Sequence, residues 1–215
     1  MLTLQISKPD TFLCIGAHCD DIEIGCAGSL AGWASRYPAA RFVWAVFSGD
    51  EARVAETRAA AAALLGGAAR VEVLAHAFRE SYFPSQYAEI KDAFGALRAR
   101  VEPTVVLTHH RDDRHQDHGL LAELTWQTFR DHLILEYEVP KYEGDLGRPN
   151  VFIPLSADLA RLKVETLLAT FRSQLHHDWF TAETFAGLMR LRGVECRSPS
   201  GLAEAFFASK VVLTT

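Results

Sequence analysis

Short apolar runs that alternate with longer helical patterns constrain this chain more than any other feature of its sequence. Thr11–Gly16 (TFLCIG), Arg41–Phe47 (RFVWAVF), Val71–Ala75, Thr104–Thr108 (TVVLT) and Leu133–Val139 are short, apolar and rich in β-branched or aromatic residues, as strands are. Between them, Cys26–Tyr37, Arg53–Leu65, Ser85–Arg100 and Gly119–Arg130 carry helical patterns. Pro38 stops the first helix, Gly66-Gly67 closes the second, Ser48-Gly49-Asp50 marks a turn, and Pro103 restarts the chain after the third helix. This alternation predicts an α/β fold, a mostly parallel sheet flanked by helices. Further on, the sequence predicts a Gly- and Pro-rich loop over Pro140–Pro149 and a short strand at Val151–Pro154. Helices over Ala157–Phe171 and Ala182–Leu191 and an edge strand over Ala205–Leu213 complete the reading. No internal repeat or linker interrupts it, so residues 1–215 read as a single domain.

Composition narrows the classes of function. With 215 residues, 49% apolar and 23% charged, the chain is neither disordered nor fibrous nor a coiled coil. A chain of this length buries about 70% of its unfolded surface and needs no covalent staple to fold. Lys+Arg 22 against Asp+Glu 27 leaves a charge of −5 with no basic block, which argues against nucleic acid as a partner. No apolar run approaches ~18 residues, so membrane insertion is not expected. Cys14, Cys19, Cys26 and Cys196 form neither a disulfide framework nor a CxxC pair. The expectation is a reduced, cytoplasmic, soluble protein, compatible with a homo-oligomer.

Two polar clusters stand directly behind predicted strands: Ala17-His18-Cys19-Asp20-Asp21 and His115-Gln116-Asp117-His118. In parallel sheets ligands bind at the carboxyl ends of strands, so both clusters fall on one rim. Imidazole and carboxylate donors suit zinc, and a catalytic zinc site keeps three protein ligands and an open position for water. A carboxylate beside the ion can serve as general base. Adjacent residues at a strand's end point in opposite directions, which lets Asp20 and Asp21 do different work. From the residues alone this is a hydrolytic metal site whose reaction is open.

Ala17-His18-Cys19-Asp20-Asp21 with Glu23, Gly25 and Gly28 resembles the opening motif of the PIG-L/LmbE-like zinc de-N-acetylases, A-H-P-D-D with glycines leading into a helix. His115-Gln116-Asp117-His118 is similar to that family's H-x-D-H. The Ala-rich helix ending at Leu65-Gly66, Lys163, Ser173-Gln174 and Ala203–Phe206 fit the same order more loosely. The resemblance implies a Rossmann-like fold with one Zn²⁺ per chain held by His18, Asp21 and His118. It implies Asp20 as general base, His115 near the oxyanion or leaving amine, and Asp117 orienting His115 by a hydrogen bond. The implied reaction is hydrolysis of an N-acetyl group on an amino sugar or its conjugate, so the implied partner is a small N-acetylated sugar. Cys19 stands where the family has proline; it is expected as a small apolar filler, with an oxidation-sensitive thiol as the alternative.

Further candidates lie on the same rim. Glu51 and Arg53 follow the second strand and His110 the fourth; with Tyr142 in the Gly/Pro-rich loop they are candidate substrate contacts. Arg111, Asp113 and Trp179 have the same standing. His109 is expected behind the ligands or on the surface, and His176-His177-Asp178 reads as a polar helix end. Two other functions compete. A two-metal phosphoesterase predicts about two ions per chain rather than one, and an inactive ligand-binding homologue predicts no turnover.

Overall fold

The computed structural model describes residues 3–66, 68 and 70–212. Seven strands form one sheet: β1 (Thr11–Gly16), β2 (Arg41–Val46), β3 (Arg70–Ala75), β4 (Val105–His109), β5 (Leu133–Tyr137), β6 (Val151–Pro154) and β7 (Ala203–Phe207). Six α-helices connect them: α1 (Asp21–Arg36), α2 (Glu51–Leu65), α3 (Tyr87–Arg100), α4 (Gln116–Thr128), α5 (Ala157–Thr170) and α6 (Ala182–Glu195). Their order in the sheet is β3-β2-β1-β4-β5-β7-β6. β3 through β5 run parallel, while β7 pairs antiparallel with both β5 and β6.

Alternation along the strands divides the core into two layers. Phe12, Cys14, Phe42 and Trp44 face α1, α2 and α5 through Ile22, Leu30, Ala60, Leu64 and Leu167. Leu13, Ile15, Val43 and Val106 face α3 and α4 through Ile90, Phe94, Leu121 and Leu124. Burial on both faces is why these strands read as unbroken apolar runs rather than alternating ones.

Three expectations need correction. The last strand is not an edge: β7 inserts between β5 and β6, and the short β6 takes the edge. Leu213, the expected end of that strand, and Gly67, half of the expected cap of α2, lie outside the described residues. Gly66 itself caps α2 in a right-handed conformation (φ −58°). The first helix begins at Asp21, five residues before the Cys26 start read from the sequence, because it is broken there: Cys26 has φ −148° and ψ 18°. Only its second segment carries an ordinary helical pattern; the first turn is short and polar, holding Asp21 and Glu23. Similarly, α4 starts at Gln116 rather than Gly119, which puts His118 inside its first turn.

The break in α1 is supported from β7. Glu204 accepts the Gly28 and Ser29 amides (2.9 and 2.7 Å), the work an N-cap side chain normally does, and pairs with Lys163 Nζ at 2.6 Å. Ahead of the break, Gly25 sits against the Tyr137 ring so closely that a Cβ would lie 2.3 Å from it. Tyr137 in turn donates its hydroxyl to the Ile15 carbonyl (2.6 Å), tying β5 to the end of β1. Glu204→Gln leaves the Lys163 cation buried without a counter-charge and weakens the cap. Denaturant unfolding is expected to read a loss of about 3–5 kcal/mol.

Candidate metal centre

β1 is the strand at which the sheet order reverses: its chain successor β2 lies on one side and β4 on the other. The loops behind β1 and β4 therefore open a crevice between them. The turn after β1 is pinned from beneath. Ser48 Oγ donates to the Ala17 carbonyl (2.7 Å), Thr57 Oγ1 to the Cys19 carbonyl (2.7 Å), and the His18 amide to Asp21 Oδ2 (2.7 Å). Cys19 is fully buried, its thiol donates to the Ser48 carbonyl (3.3 Å), and burial pushes its pKa up to about 11. A protonated, enclosed thiol fits the filler role better than the redox one. Gly49 makes room for it: its φ is +150°, and a Cβ there would lie 2.3 Å from Cys19 Sγ.

Inside the crevice three donors converge. His18 Nδ1 lies 3.2 Å from His118 Nε2 and 3.3 Å from Asp21 Oδ2, and His118 Nε2 lies 3.4 Å from Asp21 Oδ1. A tetrahedral ion with bonds of about 2.0–2.1 Å spaces its ligand atoms about 3.3 Å apart, so this donor set fits zinc. The outward nitrogen of each imidazole meets a carboxylate: His18 Nε2 meets Asp117 (3.3 Å), and His118 Nδ1 meets Asp113 (3.0 Å). That carboxylate–histidine arrangement sets the tautomer and leaves the inward nitrogens able to take an ion. His115 and His109 each complete an alternative trio, with His18 and His118 or with Asp21 and His118. Both trios depend on His118, whose one inward nitrogen can serve a single ion.

Asp117 departs from its expected contact. Its carboxylate holds His18 and accepts the amides of Ser81 (2.6 Å) and Phe83 (3.1 Å). It is the Asp117 amide, not the carboxylate, that meets His115 Nδ1, at 3.3 Å. An acceptor Nδ1 puts the His115 proton on Nε2. Burial and the neighbouring His118 and His18 keep that ring below the ordinary histidine pKa, hence neutral. Asp20 is buried beside this group without belonging to the donor trio. Burial and the adjacent Asp21 raise its pKa to about 6, against the pull of Arg53, whose guanidinium lies 3.2 Å away. Arg53 also pairs with Glu80 (2.9 Å) on the segment that leads to Ser81.

The remaining candidates divide. Of the four candidate substrate contacts, Arg53 meets Asp20 directly. Glu51 opens α2 and is exposed. His110 pairs with Glu136 (2.7 Å) and stacks on Phe207 beside a separate concavity of about 440 Å³. Tyr142 is 69% exposed and donates to Asp178, the last residue of the His176-His177-Asp178 run. Two residues given little weight in the sequence are built into the centre. His109 is fully buried, its ring 3.9 Å from that of His118 and its Nε2 3.3 Å from Asp21. Burial and the His118 charge lower its pKa to about 4, so it is neutral. The signal for it was strand parity, since Val105, Leu107 and His109 share one face of β4. Asp113 had no such signal, because its partner His118 is reached only through the path of a loop.

The PIG-L family, described as GlcNAc-PI de-N-acetylase, matches residues 13–129, which contain every donor above. The fold is shared with solved structures at low identity. The conserved protein TT1542 from Thermus thermophilus is 22% identical over 95% of this chain and 96% of its own, with a TM-score of 0.71. The N,N'-diacetylchitobiose deacetylase from Pyrococcus horikoshii is 18% identical over 93% of this chain and 84% of its own (TM-score 0.69). GalB, the 4-carboxy-2-hydroxymuconate hydratase from Pseudomonas putida, is 18% identical over 96% and 98% (TM-score 0.75).

The two inward nitrogens generate a test of the centre. Burial opposes charge on His18 and His118, but Asp21 on both, with Asp117 and Asp113, raises their pKa values above the ordinary range. At 3.2 Å the facing nitrogens have room for one hydrogen between them, so at neutral pH the pair holds one proton more than two neutral rings. An ion bound there would have to displace it. Calorimetry in buffers of differing ionisation enthalpy is expected to show about one proton released per ion. Affinity should rise with pH across the neutral range; a pH-independent affinity would contradict the shared proton.

Proposed function

The chain belongs to the PIG-L family, and on that premise we propose that it is a zinc-dependent hydrolase removing an N-acetyl group from an acetamido sugar or its conjugate. The observation that carries this reading is the spacing of 3.2–3.4 Å among His18 Nδ1, Asp21 and His118 Nε2, with a second carboxylate, Asp20, beside them and paired with Arg53. Zinc held there polarises an amide carbonyl and lowers the pKa of water to about 7.

This chain's own residues supply the rest. Asp20, ionised and oriented by Arg53, accepts the proton that the attacking water loses. His115, neutral and carrying its proton on Nε2, donates a hydrogen bond to the oxygen on which charge develops. The proton taken up by Asp20 then passes to the departing nitrogen as the C–N bond breaks, giving acetate and a free amine. Asp117 holds His18, and Arg53, in contact with Asp20, is the residue proposed to meet the sugar; Glu51 and Tyr142 are exposed and His110 lines a separate concavity, so none of the three is assigned that role. Deacetylases and a hydratase share the fold, so the reaction is to be read from products rather than from architecture.

Zinc-loaded protein incubated with a panel of N-acetylated sugars should release acetate and primary amine in equal amounts. Release of neither from any member of the panel would remove the deacetylase reading. Asp20→Asn is expected to keep its zinc and lower kcat by about 10²–10⁴-fold, whereas His18→Ala loses the ion. Because the base must be ionised, kcat/KM should fall on the acid side of a pKa no higher than about 6, the value burial and Asp21 give Asp20 before a cation lowers it. One zinc per chain by elemental analysis is expected; about two would favour a phosphoesterase.

A further inference from the structure

Lys141 lies in the loop behind β5, outside both metal motifs, yet its side chain is only 7% exposed. Its ammonium sits between two buried carboxylates. Nζ is 3.0 Å from Asp113 Oδ2 and 2.8 Å from both oxygens of Asp145. The same Asp113 oxygen accepts His118 Nδ1 (3.0 Å), and the other accepts the His115 amide (2.8 Å). Asp145 accepts the Arg114 amide at 2.6 Å. One cation thus joins the loop behind β5 to the chain segment that leads into the second motif.

We infer that Lys141 is a positioning residue for the metal centre: by neutralising Asp145 it keeps the Asp113 carboxylate in place against His118. The physical reason is repulsion. Two buried carboxylates within reach of one ammonium repel each other once that ammonium is gone. Asp113 then turns away from Asp145, His118 Nδ1–H loses a fixed acceptor, and the imidazole loses orientation and donor strength toward an ion. The inference rests on the metal reading above and adds that ion affinity is coupled to the loop that carries Tyr142.

The test is a double-mutant cycle read by Zn²⁺ affinity, measured by competition with a chromophoric chelator, and by the visible absorption of the Co²⁺-substituted protein. Lys141→Met is expected to weaken zinc binding about 10–100-fold and to alter the Co²⁺ spectrum. In an Asp113→Asn background the same change should add little, because Lys141 acts through that carboxylate. Should Lys141→Met fail to fold, Lys141→Gln, which retains a hydrogen-bond donor, is carried through the same cycle. Affinity within about twofold of the parent, or full additivity with Asp113→Asn, overturns the inference. A parent protein that binds no ion at all would instead overturn the metal reading on which it stands.

Discussion

The pairing of β1 with β4 supports everything else in this molecule. Phe12, Leu13 and Cys14 register with Val105, Val106 and Leu107, so the two strands end side by side although about ninety residues separate them. His18 and Asp21 come from the loop and helix after one strand, His118 from the helix after the other. A slip of one residue in that register would reverse which β4 side chains face α1, and His109 would leave the crevice. Pairing, not local sequence, brings these side chains together.

Burying so many titratable groups is costly unless each finds a partner, and the surrounding structure is arranged to provide them. Asp117 serves two loops at once, holding His18 and accepting the Ser81 and Phe83 amides. Ser81 reaches it with a left-handed backbone (φ 65°), an unusual conformation for serine. Arg53 bridges Asp20 and Glu80, and Lys141 bridges Asp113 and Asp145. Two loops of no regular structure are thereby stitched to the centre by charge. Further out, Lys163–Glu204 and Arg192–Glu138 repeat the pattern of a buried cation answered by a carboxylate.

The chain belongs to the PIG-L family, and deacetylases and a hydratase share its fold. Arg53 with Glu80, the loop anchored through Lys141, and exposed Tyr142 in contact with Asp178 lie on connections rather than on strands, where substitution leaves the sheet undisturbed.

Much was legible in the string of residues because it depends on short-range physics. Strand runs, helical periodicity, the proline and glycine stops and the two polar motifs are local patterns, and the fold class and the placing of both motifs on one rim follow from them. The errors were local too: a helix broken at Cys26 hides its first turn, and an antiparallel insertion of β7 leaves no mark on the strand's own sequence. Contacts across the fold were beyond reach. Asp117 turning its carboxylate to His18, Asp113 to His118, and Lys141 closing on Asp113 from another loop are set by where irregular connections travel once the sheet has formed. Such connections carry no period from which the path could be read, so the residues were visible while their partners were decided by the assembled chain.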